Sequence, residues 1–171
     1  MITEPKSLAS AKSAVVELAP LLRKVDAVVV AAFGDPGLYE LRRKLPVPVT
    51  GIAEASMCEA GKRGRAFAVV TTTPKLAEVI AKKASDYGHN NFRGTWTTPG
   101  DPIKHLTNPT IMKSLLTDAI NQACSETVIQ AVIIGGGPLA DVAKDLKKDF
   151  QIPIIEPVPE AMSLSLKRLM E

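Results

Sequence analysis

The sequence predicts an α/β fold with a largely parallel sheet, assembled from two related halves. Helical and strand periodicities alternate from one end of the chain to the other, the signature of strands connected through helices. Small or turn-forming residues follow the most apolar strands, and one unit of strand, turn, helix, Pro-containing strand and helix occurs twice.

In chain order, Leu8, Ala11, Val15, Leu18 and Leu22 recur at helical spacing over Ser7 to Lys24, with Pro20 bending or breaking the last turn. A buried strand follows at Asp26 to Ala32. Next come the turn Gly34-Asp35-Pro36-Gly37, a short helix Leu38 to Leu45, a strand Val47 to Thr50 and a helix Ile52 to Lys62. Ala66 to Val70 reads as a strand running into Thr71-Thr72-Thr73. Pro74 suits the first turn of a helix capped by Thr73, which runs to about Tyr87 before Gly88 stops it. Between Ala84 and Asn108 the pattern is weak, with one strand placed at Phe92 to Thr97. Asn108 caps a helix from Pro109 to Ser125, Ile129 to Ile134 is a buried strand, and Gly135-Gly136-Gly137-Pro138 leads into a helix to Phe150. The last elements are a strand, Ile152 to Ile155, and a helix from Pro159.

The repeat sets Asp26-Ala27-Val28-Val29-Val30-Ala31-Ala32 against Gln130-Ala131-Val132-Ile133-Ile134-Gly135-Gly136, and Val47-Pro48-Val49 against Ile152-Pro153-Ile154. Glu54-Ala55-Ser56-Met57 is matched by Glu160-Ala161-Met162. The shared Pro and Glu-Ala positions favour a true repeat over the general likeness of any two βαβ units. The implied division is a first lobe of residues 1–62 and 151–171 and a second lobe of residues 63–150.

Composition excludes several classes of function. The 171 residues, 46% hydrophobic and 23% charged, suffice for one ordinary folded domain or two very small ones, and the longest apolar run, Ala27 to Phe33, is far too short to span a bilayer. Residues 1–6 carry no secretory signal pattern, so the expected compartment is the cytosol. Twenty-one Lys and Arg against eighteen Asp and Glu leave a formal charge of +3, too small and too dispersed for a nucleic-acid partner. Lys62-Arg63-Gly64-Arg65 reads as a solvated loop. Aromatic content of 4% gives no base-stacking surface. Cys58 and Cys124 lack CxxC spacing, and His89 and His105 have no ligand-like neighbours, so no metal site is expected.

Ligands of open α/β sheets bind beyond the carboxyl ends of the strands. Three segments arrive there: Ala31-Ala32-Phe33-Gly34-Asp35, Thr71-Thr72-Thr73 and Gly135-Gly136-Gly137-Pro138. Their small residues admit a ligand close to the backbone, and threonine hydroxyls can bond a carboxylate or imide oxygen. The triple glycine fits neither GxGxxG nor a P-loop, so nucleotide binding is not supported. Taken alone, it is equally well explained as a tight turn.

Val30-Ala31-Ala32-Phe33-Gly34-Asp35-Pro36-Gly37-Leu38, followed by Pro48-Val49-Thr50-Gly51-Ile52-Ala53-Glu54-Ala55, closely resembles the hydantoin and allantoin racemases of the Asp/Glu racemase superfamily. Phe67 to Thr72, Ile133 to Ala140 and Ile152-Pro153-Ile154 extend the resemblance over nearly the whole chain from Ser7 onward. It implies two similar lobes with parallel sheets, related by a pseudo-twofold and with the active site between them. It also implies cofactor-independent racemisation, in which two cysteines flank the stereocentre and one removes the α-proton while the other returns one.

At the positions that the resemblance gives to those cysteines, this sequence has Ala32 and Gly136, which the repeat independently places in register. Neither can exchange a proton. Cys58 and Cys124 fall within predicted helices and read as buried structural thiols. The family's opening strand and its Asn-Pro-Asn motif have no counterpart before Ser7, so the first lobe is expected to lack its N-terminal strands and to expose an edge.

The expectation is a racemase-like protein whose cleft survives while its two-cysteine machinery is lost. Its ligand would be a small carboxylate, hydantoin or ureide, bound by Phe33, Gly34, Thr71, Thr72, Gly137 and Pro138, with no cofactor or metal. The chain is expected to form a homo-oligomer. Two alternatives stay open: an isomerase or lyase using Asp35, Tyr39, Thr72 or His105 as a single base, with Asp35 otherwise a turn-forming residue and His105 a solvated loop residue, or a non-catalytic small-ligand binding or assembly protein.

Overall fold

The computed structural model describes residues 2–101, 103–104 and 107–171. Its strands are β1 (Val28–Val30), β2 (Val49–Gly51), β3 (Phe67–Thr71), β4 (Phe92–Thr97), β5 (Ala131–Gly135) and β6 (Ile154–Ile155). Its α-helices are α1 (Pro5–Glu17), α2 (Leu38–Lys44), α3 (Ile52–Ala60), α4 (Ala77–Asp86), α5 (Pro109–Glu126), α6 (Ala140–Leu146) and α7 (Pro157–Leu169). All strand pairs are parallel, β1 with β2 in a two-stranded sheet and β4-β3-β5-β6 in a four-stranded one.

The four-stranded sheet is buried on both faces, which is why β3 and β5 read as unbroken apolar runs. Successive side chains of a strand alternate between faces, and the core divides accordingly. Ala68, Val70, Val132 and Ile134 meet Met112, Leu116 and Ile120 of α5 and Leu146 of α6. On the other face, Phe67, Val69, Ala131 and Ile133 meet Met57 of α3 and Ile80 of α4. Helix α3 therefore leaves the small sheet and packs on the large one. Its opposite side packs on α7, with Ile52, Ala55 and Ala161 buried together.

The repeat is visible at atomic level. Val28 pairs with Val49, and Val132 with Ile154. The Val28 amide donates to the Pro48 carbonyl at 2.9 Å, and the Val132 amide to the Pro153 carbonyl at 2.9 Å. Each unit then closes a turn with an equivalent hydrogen bond, from the Asp35 amide to the Ala32 carbonyl (3.0 Å) and from the Leu139 amide to the Gly136 carbonyl (3.1 Å), over different backbone conformations.

Several boundaries differ from the sequence reading. Residue 151 does not begin the return to the first lobe, because β6 pairs with β5; the return starts at α7, whose first residue is Pro157 rather than Pro159. Thr73 makes no side-chain cap; a 3-10 turn, Pro74–Leu76, precedes α4 and spaces it from the strand. Asn108 does cap α5, its side chain accepting from the Ile111 amide at 3.1 Å. The helix expected to reach Phe150 ends at Leu146. Cys58 and Cys124 lie on helices but are exposed rather than buried, since each sits on the solvent side of α3 or α5. Among the described residues, no helix is long and apolar enough to cross a membrane.

Candidate functional site

The loops that follow β1 and β5 meet across the molecule. The Phe33 ring lies over Gly135, where a Cβ would come within 3.2 Å of it, and a Cβ on Gly137 would lie 3.7 Å from the Ala31 carbonyl oxygen. Between these loops and the one after β3 is a cavity of about 220 Å³. Ala32 and Phe33 wall it from the first lobe, Gly136, Gly137 and Pro138 from the second, and Thr72 and Thr73 from the end of β3. Ile2, Leu76, Ile80 and Leu139 complete an apolar portion of the wall. None of the described residues lining it carries an ionisable side chain.

Two residues expected at the ligand lie elsewhere. Thr71 is buried with its hydroxyl spent on the fold: it donates to the Gly135 carbonyl at 2.7 Å and lies 3.1 Å from the Thr73 hydroxyl. Gly34 is buried under Leu8, one turn position beyond the wall. Pro138 lines the cavity but has no N–H, so it contributes surface and no donor. Thr73, read from the sequence as a helix cap at the ligand end of the sheet, and Ile2 are not among the residues expected at the ligand. The threonine run signalled Thr73, whereas nothing in the sequence tied Ile2 to residues some seventy positions away.

The candidates for a single base are also placed. Asp35 is 1% exposed. Its carboxylate accepts the Ala53 amide (2.9 Å), the Glu54 amide (2.8 Å) and the Tyr87 hydroxyl (2.7 Å). It thus satisfies two free N–H groups at the start of α3, a nonlocal cap in place of the local turn contact expected from its sequence position. Burial pushes its carboxyl pKa up, against the pull of these donors and of Lys83. Burial and the Asp35 charge likewise push the Tyr87 hydroxyl up. Gly51 is required here, since a Cβ would fall 2.2 Å from the Asp35 carboxyl carbon. Tyr39 is exposed, with Lys83 Nζ 5.2 Å from its ring centre, and it does not reach the cavity. Thr72 alone of the described candidates lines the wall. His105 lies outside the described residues.

Glu54 anchors the other side of the small sheet. It lies 2.9 and 2.7 Å from Arg42 Nη2 through its two oxygens, and 3.2 and 3.1 Å from Arg168 Nη2 and Nη1. Both arginines also donate to the Val49 carbonyl, so α2, β2, α3 and α7 are fixed to one another. Burial pushes the Glu54 carboxyl up, but the bonds from Arg168 and Arg42 outweigh it and hold the pKa below the usual value.

Comparison with known proteins gives a consistent result. A family model described as Asp/Glu/Hydantoin racemase matches residues 1–164. A hydantoin racemase of Pseudomonas sp. (strain NS671) is 31% identical over 135 residues, 78% of this chain and 54% of that protein. A hydantoin racemase of Rhizobium meliloti is 31% identical over 142 residues, 82% of this chain and 59% of that protein. The chain thus spans little more than half the length of these relatives. Among solved structures, allantoin racemase from Klebsiella pneumoniae superposes with a TM-score of 0.89 at 27% identity, covering 98% of this chain and 69% of that one.

Proposed function

Because this chain belongs to the Asp/Glu/hydantoin racemase family, we propose that its inter-lobe cavity binds a small neutral cyclic imide or ureide and that two-base racemisation is absent from it. The observation that carries the second half is the identity of Ala32 and Gly136. They end the two equivalent strand units, they line one cavity, and neither has a group that exchanges a proton. Loss of a general acid or base typically costs about 10² to 10⁴ in rate for each group.

The wall argues for the first half. It is formed by Thr72 and Thr73, the second with its hydroxyl proton directed to Thr71 and its oxygen left to accept, and by Phe33 and Gly137 of the two loops. No lysine, arginine or histidine among the described residues lies on it. Enclosing an unpaired carboxylate there would cost several kcal/mol, on the order of the known penalty for burying an uncompensated charge, whereas an imide needs only hydrogen bonds. Of the carboxylate, hydantoin and ureide ligands that the sequence admits, the neutral ones fit.

Thermal denaturation with hydantoin, allantoin and aspartate at millimolar concentration tests this reading. A rise in Tm with hydantoin or allantoin and none with aspartate is expected, since a ligand that binds the folded state stabilises it by mass action. No rise with any of them would refute the binding site. Leu18, Leu21 and Val25, exposed beyond the end of α1, are the apolar surface through which we place a homo-oligomer. Light scattering showing a monomer at micromolar concentration would refute that assembly.

A further inference from the structure

The segment Ile2–Leu8 crosses from one lobe to the other over the cavity. Ile2 lines the cavity and packs in the same apolar cluster as Phe33, Leu76 and Ile80. Two residues on, Glu4 Oε2 lies 3.5 Å from Lys75 Nζ, in the turn that carries Leu76. Leu8, in the first turns of α1, covers Gly34: a Cβ there would meet its Cδ2 at 3.2 Å, and the glycine φ of +115° suits no other residue well. The segment is thus tied to the loop after β3 at one end and to the loop after β1 at the other. Its ion pair is largely exposed, which makes it a weak tie, and the apolar contacts hold it in place.

We propose that this segment is a strap over the ligand and that Ile2 determines how bulky an apolar substituent the ligand can carry. The inference rests on the cavity being the ligand site. The polar wall, from Thr72 and Thr73, takes the ring of an imide. The apolar wall of Ile2, Phe33, Leu76 and Ile80 takes what projects from it. Of these four, Ile2 and Phe33 lie outside the helices and sheets, and Phe33 is packed over Gly135 and against Ile52 and Ala55, so Ile2 is the one whose size can change without disturbing the core that holds Leu76 and Ile80.

Titration calorimetry of this chain with 5-methylhydantoin and 5-benzylhydantoin, for the unmodified protein, Ile2→Ala and Ile2→Phe, tests it. Ile2→Ala should shift the ratio of the two Kd values about tenfold toward the benzyl compound, the usual effect of one or two methylenes in an apolar pocket, and Ile2→Phe should shift it the other way. Both substitutions precede Pro5 and leave α1 intact. Binding by the unmodified protein with an unchanged ratio in both variants would overturn the strap and leave the ligand site standing. Binding of neither compound by any of the three proteins would overturn the site, and the strap with it.

Discussion

The turns after β1 and β5 are closed by equivalent hydrogen bonds and differ in backbone and in what secures them: Gly34 and Asp35 have φ of +115° and +49°, whereas their counterparts Pro138 and Leu139 lie in a 3-10 turn with Leu139 at φ −95°. Each is closed by an amide-to-carbonyl bond between residues three apart, Asp35 to Ala32 and Leu139 to Gly136. In the second lobe the closing residue is Leu139, 2% exposed and packed into the core between the large sheet and α5. In the first lobe it is Asp35, whose carboxylate caps α3 and binds Tyr87 from the other lobe. Among the described residues the first lobe has two strands of three residues, packed on a small core of Val28, Val30, Leu38, Leu41 and Val49. To that burial it adds directional polar contacts, Asp35 on one side and the Arg42-Glu54-Arg168 cluster on the other. Two turns closed by equivalent hydrogen bonds are therefore secured differently, one by packing and one with the help of hydrogen-bonded charge, and each mode fails differently.

The largest expected effect is on the charged side. Glu54→Ala leaves two guanidinium groups without their partner in a half-buried site, and should cost about 3–5 kcal/mol in urea denaturation. Leu139→Ala tests the packed side and should cost about 2–4 kcal/mol through the cavity it opens. Equal salt sensitivity of the two variants would contradict the distinction, because only the first involves charge.

A smaller difference separates the two strand ends. Gly136 has φ +148°, a conformation that side chains avoid, although a Cβ there would have 3.5 Å of clearance from Leu139. Gly136→Cys should therefore destabilise by about 1–3 kcal/mol through backbone strain, with Ala32→Cys costing less. Restoring both thiols thus carries a strain that the sequence did not reveal.

The smallest effect concerns pH, where the two carboxylates of the first lobe act with opposite sign. Glu54 has a lowered pKa, so its stabilisation is full above the usual 4.5 and is lost as pH falls through the lower folded value. Asp35 has a raised pKa, so the folded state takes up its proton first and stability rises as pH falls from the raised value toward the usual 3.8. Glu54→Gln should flatten the acid limb of a Tm profile, and Asp35→Asn should steepen it. The reverse pattern would show that the two assignments are exchanged.

Much of the fold was legible because it depends on periodicity. The strand Phe92–Thr97, the Asn108-capped helix and the repeat were all readable from local pattern. What was not legible depends on contacts distant in sequence. Asp35 looks like a turn residue until α3 and Tyr87 are brought to it, and Thr71 looks like a ligand residue until β5 offers the Gly135 carbonyl. The exposed cysteines show a further limit: helical placement was right, but a helix has a solvent side as well as a core side.

With Ala32 and Gly136 at the two strand ends, the cavity has, among the described residues, no group that exchanges the α-proton of a ligand. The most direct test of this is exchange of the C5 hydrogen of 5-methylhydantoin in deuterated water, followed by proton NMR with and without the unmodified protein. The predicted result is exchange at the uncatalysed rate in both. Exchange accelerated by the protein, and abolished by a substitution such as Thr72→Val in the cavity wall, would contradict it and install a single-base enzyme in its place.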